Sequence, residues 1–247
     1  MLLAVLLAVL TQVAAGSGLT PREQEAATRH FRAGMQALAS ERWDQAESEF
    51  KAALRIDPLY DAAFFGLGQV HMARRQYDDA IRAYIDSRDA FLAGAAARAT
   101  NKVTTDRRIR DQIQTLQDYV RSLERRGATN PTIIGDIERQ RTRIRQLEAQ
   151  LTLSADSIPD VPAGLSLALG SAFFRTDNFA EAEREYLAAV KVDPGFGEAH
   201  NNLAVVYMLT GRLEPAEQEI ALAERAGFKV NPNLKADLKK RKGGRGL

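Results

Sequence analysis

The chain has 247 residues, of which 45% are hydrophobic and 27% are charged, so it has enough apolar surface to fold and is not disordered over its whole length. It contains no cysteine, which excludes disulfides, thiolate metal sites and cysteine nucleophiles. Lys and Arg number 34 against 32 for Asp and Glu, a balance that favours no polyanionic partner.

The N-terminus begins with an uninterrupted apolar run, MLLAVLLAVL, and the small residues Ala14 and Ala15 follow it. The run is shorter than the ~20 residues of a membrane-spanning helix. It predicts that residues 1–19 contain a secretory signal peptide, cut near Ala15, and that the protein is periplasmic or secreted. The alternative is an uncleaved hydrophobic segment that anchors the chain to a membrane. Thr20-Pro21-Arg22-Glu23 then predicts a capping box, so the folded part begins at residue 20.

A pattern of small and large residues recurs with a period of 34 along two stretches of the chain. Small residues let the two helices of a unit approach each other closely, and large residues fill the space between units. The small residues are Gly34, Gly68, Gly170 and Ala204, then Ala46, Ala80, Ala182 and Ala216; the large ones are Phe50, Tyr84, Tyr186 and Ile220. Pro58 and Pro194 close their units because proline prevents the helix from continuing.

These positions resemble the tetratricopeptide repeat (TPR) family, with units in 20–94 and 163–228. The resemblance implies antiparallel helix pairs stacked into a right-handed superhelix with a concave groove. The predicted fold is therefore all-α: a solenoid of about four helix-turn-helix repeats, interrupted by a long helical hairpin. The sequence departs from the family at His30 and His200, where an aromatic residue is usual. It also has Leu92 where proline would close the second unit, so the second helix of that unit is free to run on.

The insert at 95–162 lacks the small residues of the repeat, so it does not contain two further units. Its apolar residues are spaced by three and four, which predicts a two-helix coiled-coil hairpin followed by a linker. They are Ile113, Leu116, Val120 and Leu123, then Ile137, Ile144, Leu147 and Leu151. Residues 229–247 are predicted to form a cap helix and a basic tail. The net charge is −2 over 21–94, +5 over 95–152 and −6 over 153–234.

No catalytic motif is present, so the sequence predicts a protein that is not an enzyme and holds no cofactor or metal. Gly66-Leu67-Gly68 lacks the third glycine of a dinucleotide-binding loop. The three histidines occupy repeat positions, where helix packing explains them better than metal ligation does. The Arg-rich insert has Tyr119 as its only aromatic residue, which makes nucleic-acid binding unfavourable.

The family resemblance also implies a binding surface, because the first helices of TPR units line the groove. The corresponding residues are largely apolar and include methionines, which suit an extended peptide or an amphipathic helix. They are Phe31, Met35, Leu38, Phe65, Gln69, Met72, Leu167, Ser171, Phe174, Arg175, Asn201, Val205 and Met208. The Lys/Asn clamp that some members use for a terminal carboxylate is not reproduced. The alternative is that several of these residues pack against the chain's own segments.

Together these features predict a non-enzymatic adaptor of the cell envelope that binds a protein or peptide client in its groove. One alternative is a structural homo-oligomer that assembles through 95–152. Another is an accessory subunit of an envelope enzyme complex. Membrane contact is expected only through an uncleaved N-terminal segment or the basic tail.

Overall fold

A computed structural model describes residues 18–125, 131–152 and 159–243, and in these residues the regular secondary structure is helical throughout. The helices are α1 (Pro21–Ala39), α2 (Trp43–Ile56), α3 (Asp61–Ala73), α4 (Tyr77–Arg125), α5 (Pro131–Thr152), α6 (Ala163–Arg175), α7 (Phe179–Val192), α8 (Gly197–Leu209), α9 (Leu213–Arg225) and α10 (Pro232–Gly243). The predicted all-α class is confirmed. The predicted signal peptide, the hairpin turn and most of the linker lie outside the described residues.

The first helix begins at the predicted capping box. The backbone N–H of Thr20 donates to the Glu23 carboxylate at 2.7 Å, and the Thr20 hydroxyl accepts from the Glu23 N–H at 3.3 Å. Pro21 occupies the first helical position, where its missing N–H costs nothing. Two donors that would otherwise be unpaired at the helix end are thereby satisfied.

Four equivalent turns join the first and second helices of four repeat units. Each turn contains one residue with a left-handed backbone: Glu41, Arg75, Asp177 and Gly211, with φ of 56°, 60°, 58° and 78°. All four occupy the same place in the 34-residue repeat, so the units share one backbone geometry. Only the last turn uses glycine, and the other three residues each accept strain of the order of 1 kcal/mol.

Aromatic rings fill the space left by small residues at the unit boundaries. Phe50 of α2 is fully buried, and its ring lies between Gly34 of α1 and Gly66 of α3. A Cβ at Gly34 would lie 2.7 Å from the nearest ring carbon, and one at Gly66 would lie 2.5 Å away. Both distances are far inside the ordinary contact of 3.5–4.0 Å. The ring therefore joins the first unit to the second only because both neighbours lack a side chain.

The second and third units are in direct contact although the insert separates them in sequence. Tyr84 of α4 belongs to one buried cluster with Leu165 and Leu169 of α6. The Arg88 guanidinium donates to Glu185 of α7 at 3.1 Å across the same junction. The repeat units of residues up to Ala93 and from Asp160 thus form one compact unit.

Arginine–glutamate pairs also bridge the other two unit boundaries. Arg74, at the end of α3, donates to Glu47 of α2 at 2.5 Å. Arg212, before α9, donates to both carboxylate oxygens of Glu183 of α7 at 2.7 and 2.5 Å. The two glutamates occupy the same position of the repeat, so both boundaries use the same type of charge-assisted contact.

The remainder of α4 and helix α5 form a second compact unit, Gly94–Pro159. The end of α4 packs against the beginning of α5 through Val120, Leu123 and Ile137. The Tyr119 hydroxyl donates to Asp136 at 3.0 Å and reinforces this contact. The helical hairpin of the predicted fold is therefore present.

Helix α10 packs against the fourth repeat unit. Leu238 is buried in the same cluster as Ile220 of α9. Lys235 pairs with Glu224 at 2.6 Å, and Lys242 pairs with Glu217 at 2.5 Å. The basic helix thus neutralises part of the acidic charge on α9.

Candidate peptide-binding surface on the first helices

The thirteen positions predicted to line a groove are called here the first-helix surface, and they lie on α1, α3, α6 and α8. In the first two units they are largely apolar and partly buried. Met35 and Leu38 pack against the core of the first unit. Phe65 and Met72 pack against the cluster that joins the second and third units. The exposed parts of these four side chains offer apolar contact area.

Two members of the first-helix surface are core residues. Phe31 is 3% exposed, and its ring lies 5.9 Å from the Phe50 ring and 5.2 Å from the Tyr60 ring. Met208 is 4% exposed, and its backbone carbonyl accepts a hydrogen bond from Arg241 of α10 at 2.9 Å. Both positions match the family pattern, but aromatic stacking and packing in the last core cluster cover their side chains.

The third and fourth units add polar groups to this surface. The Ser171 hydroxyl donates to the Leu167 carbonyl at 2.8 Å and accepts from the buried Tyr186 hydroxyl at 3.3 Å. Arg175 is exposed at the end of α6, and the amide of Asn201 donates to Asn202 at 3.3 Å. This half therefore presents hydrogen-bonding groups and a positive charge.

Val205 and the remaining apolar members accompany these polar groups. Leu167 and Phe174 pack against the last core cluster, and the Phe174 ring lies 5.6 Å from Phe179. Val205 is partly buried on α8. The structure therefore distributes the predicted residues among three core clusters rather than gathering them in one pocket.

Gln69 is the one polar member of the first-helix surface in the second unit. Its Oε1 atom is buried and has no hydrogen-bond partner in the described part of the chain. An unpaired buried acceptor costs about 1–3 kcal/mol. Gln69 thus lowers the stability of the folded protein, at a position whose neighbours on the first-helix surface, Phe65 and Met72, are apolar.

Burial governs the ionisation of the tyrosines beneath this surface. It raises the pKa of Tyr84 strongly and also raises the pKa of Tyr186, where the hydrogen bond with Ser171 opposes the effect. Burial raises the pKa of Glu185 as well, and the neighbouring Arg88 charge opposes that shift. These shifts have structural causes, namely burial in the core and the Arg88–Glu185 contact between the second and third units.

Two histidine–glutamate pairs were not predicted from the sequence. His30 Nδ1 lies 2.7 Å from a Glu49 oxygen, and His200 Nδ1 lies 2.6 Å from a Glu219 oxygen. In both cases the glutamate follows the histidine by 19 residues, so the first and fourth units share the pair. The equal spacing was a signal that the sequence already contained. The pairs replace the aromatic residue that the family usually has and join the two helices of their unit.

The described ranges contain no group of three His, Cys, Asp or Glu side chains that could hold a metal ion. Across the same ranges, none of the helices is long and apolar enough to cross a membrane.

Two tetratricopeptide repeat family models match the chain, one at residues 37–99 and the other at 167–228, together about half of its length. The chain belongs to the tetratricopeptide repeat family. The first matched range overlaps the beginning of the insert at 95–99, and the second begins after the insert ends. The TPR fold supports a protein–protein interaction scaffold, and members of this family are typically not enzymes. No curated protein sequence matches the chain.

Several solved structures are similar to this TPR protein. The type IV pilus biogenesis factor PilW has 15% identity, with 88% of this chain and 86% of PilW covered and a TM-score of 0.43. A TPR protein of Thermus thermophilus has 20% identity, with 87% and 98% covered and a TM-score of 0.37. PilF of Pseudomonas aeruginosa has 16% identity, with 90% and 87% covered and a TM-score of 0.39.

Proposed function

We propose that this TPR protein is a non-enzymatic adaptor of the cell envelope that holds a peptide or helix of a partner protein along its first-helix surface. The observation that carries the proposal is the partial exposure of apolar side chains on successive first helices, such as Met35, Phe65 and Phe174. Side chains of this kind suit a ligand that runs across several repeat units.

The composition of the surface indicates what kind of ligand it would accept. The first two units favour apolar ligand residues, because Met35, Leu38 and Met72 provide apolar area there. The last two units favour hydrogen-bonding or acidic ligand residues, because Asn201 and the charged Arg175 lie there. A client segment that is apolar at one end and polar or acidic at the other would match both parts. Buried Phe31 and Met208 would support neighbouring contacts instead of touching the client.

The experiment uses the full chain as bait in an extract of the source cells, with captured proteins identified by mass spectrometry. The test variant carries Met35→Arg and Val205→Arg, which place charge on two different first helices. The matched control carries Leu187→Arg and Leu222→Arg, the same change at apolar residues of second helices that are 42% and 37% exposed. Circular dichroism verifies that both variants are folded.

We expect a client that the unchanged protein and the control capture and that the test variant loses. Equal capture by both variants would show that the first helices do not form the binding site. Equal loss in both variants would also contradict the proposal, because the effect would then follow from added charge and not from its position.

Export is the second part of the proposal, and the apolar residues 1–10 followed by Ala14 and Ala15 support it. The intact mass of the protein from the envelope fraction tests this part. We expect a mass that lacks the residues up to Ala15. A full-length protein in the soluble cytoplasmic fraction would contradict export without affecting the proposed client binding.

A further inference from the structure

The hairpin unit carries a groove of its own between α4 and α5, with a volume of about 420 Å³, called here the hairpin groove. Its apolar lining comes from Leu116, which is half-buried, and Leu147, which is 3% exposed. Arg108 of α4 and Arg143 of α5 are exposed and line it from the two helices. Among the described lining residues Asp111 is the one acidic side chain.

The two arginines of the hairpin groove have no carboxylate partners within the described ranges. Arg143 donates to the side-chain amide oxygen of Gln146 at 3.4 Å, a neutral contact. Arg141, in contrast, pairs with Glu124 at 2.9 Å and with Glu138 at 3.1 Å. Two guanidinium groups from different helices thus lie beside Leu116 without an ion pair to any described residue, and the lining that the structure describes holds a single carboxylate, that of Asp111.

We propose that the hairpin groove docks an acidic amphipathic helix of a partner protein, a contact separate from the first-helix surface. The apolar stripe of that helix would lie on Leu116 and on the aliphatic stems of the two arginines, above the buried Leu147. Carboxylates on its two flanks would pair with Arg108 and Arg143, because guanidinium groups bind carboxylates in a bidentate manner. A third helix laid into the groove between two packed helices is a common mode of helix recognition.

Charge complementarity selects this occupant over a second copy of the hairpin. Residues 95–152 have a net charge of +5, so two hairpins would repel each other. Like charges across an interface disfavour the pairing, whereas opposite charges speed the encounter and fix the orientation. An acidic amphipathic helix is complementary to the groove in both respects, because its carboxylates pair with the arginines and its apolar face contacts the apolar lining.

The test measures binding of labelled synthetic peptides to the full chain by fluorescence anisotropy. The probe is a three-heptad peptide with Leu at the a and d positions and Glu at e and g, whose like charges oppose self-pairing. The comparison peptide has Lys in place of Glu. The groove variant carries Arg108→Glu and Arg143→Glu. The matched control carries Arg107→Glu and Arg110→Glu, the same change of charge at exposed residues outside the groove.

We expect the acidic peptide to bind, the basic peptide not to bind, and the groove variant to bind at least about tenfold more weakly, which corresponds to ~1.4 kcal/mol. The control should differ from the unchanged protein by less than about threefold. The Met35→Arg and Val205→Arg variant should bind the peptide as the unchanged protein does, so failure of the proposed function would leave this result intact.

Five outcomes would overturn the inference. Absence of acidic-peptide binding, or equal binding of both peptides, would exclude an acidic helix as the preferred occupant. Equal weakening by the groove variant and the control would indicate diffuse charge attraction. Binding of phosphatidylglycerol vesicles that displaces the acidic peptide and that only the groove variant loses would identify the groove as a lipid-binding surface. A dimer in sedimentation that only the groove variant abolishes would identify a second copy as the occupant.

Discussion

Replacement of Gly66 by alanine should destabilise the protein because of the Phe50 ring. Three ring carbons of Phe50 lie 2.5, 2.6 and 2.7 Å from the place where the new Cβ would be. Ordinary carbon contacts are 3.5–4.0 Å, so the methyl group would intrude by about 1 Å. The ring cannot move away freely, since Gly34 approaches it as closely from the other unit.

The magnitude follows from two opposing terms. Overpacking of a filled core costs about 1–3 kcal/mol, and the enclosed ring places this site in the upper half of that range. Alanine is better than glycine in a helix by about 1 kcal/mol, which offsets part of the cost. We therefore expect Gly66→Ala to lower the free energy of unfolding by about 1–2 kcal/mol.

Urea unfolding followed by far-UV circular dichroism measures this change. Gly94→Ala is the matched control, because Gly94 lies well inside α4 and its new Cβ would meet only an Arg98 guanidinium nitrogen at 3.5 Å, an ordinary contact, so that only the helix term applies. The control should be more stable than the unchanged protein by about 0.5–1 kcal/mol. If Gly66→Ala matched this control in stability, the steric argument would be wrong. Phe50→Leu should itself destabilise the protein, but the loss in the double variant should be smaller than the sum of the two single losses, because the smaller side chain leaves room for the methyl group.

Three further predictions concern other contacts. Gln69→Met should raise the free energy of unfolding by about 1 kcal/mol in urea titrations, because it removes a buried oxygen that lacks a partner; a loss of stability would mean that this oxygen is satisfied in solution. Burial raises the pKa of Tyr84, so the unfolded chain loses this proton first and stability falls as the pH rises above the ordinary value of about 10. Tyr84→Phe should lessen that alkaline decline by up to ~1.4 kcal/mol per pH unit, and an unchanged slope in unfolding measured across this pH range would contradict the shift. Arg212→Met keeps the aliphatic stem but removes the pair with Glu183, and it should lower the unfolding free energy by about 0.5–1 kcal/mol at low salt and less at high salt. No salt dependence of that difference would exclude the pair as its source.

The repeat positions were predictable because each one reflects a local size constraint. Gly34, Gly68 and Gly170 are small where a second helix approaches, and Phe50 and Tyr186 are large where units meet. Such constraints recur with the repeat and need no knowledge of distant contacts. The same reasoning found the apolar residues between the hairpin helices, whose spacing alone indicates a shared face.

Accessibility of the first-helix surface was harder to predict because it depends on neighbours that the repeat pattern does not specify. Phe31 matches a binding position, yet Phe50 and Tyr60 enclose its ring. Met208 matches another, yet its side chain is buried in the last core cluster and Arg241 binds its backbone carbonyl. Tertiary packing decides both cases, and a single unit considered alone contains no sign of it.

Because the second and third repeat units are in direct contact, the folded protein does not depend on an uncut chain between them. One cluster contains Tyr84, which precedes residues 126–130, and Leu169, which follows them. Another cluster contains Val120, which precedes them, and Ile137, which follows them. A protein cut within 126–130 would thus yield two fragments, each with two repeat units and one hairpin helix. Both clusters would hold these fragments together without a peptide bond. The protein is accordingly suited to reconstitution from two separately expressed halves.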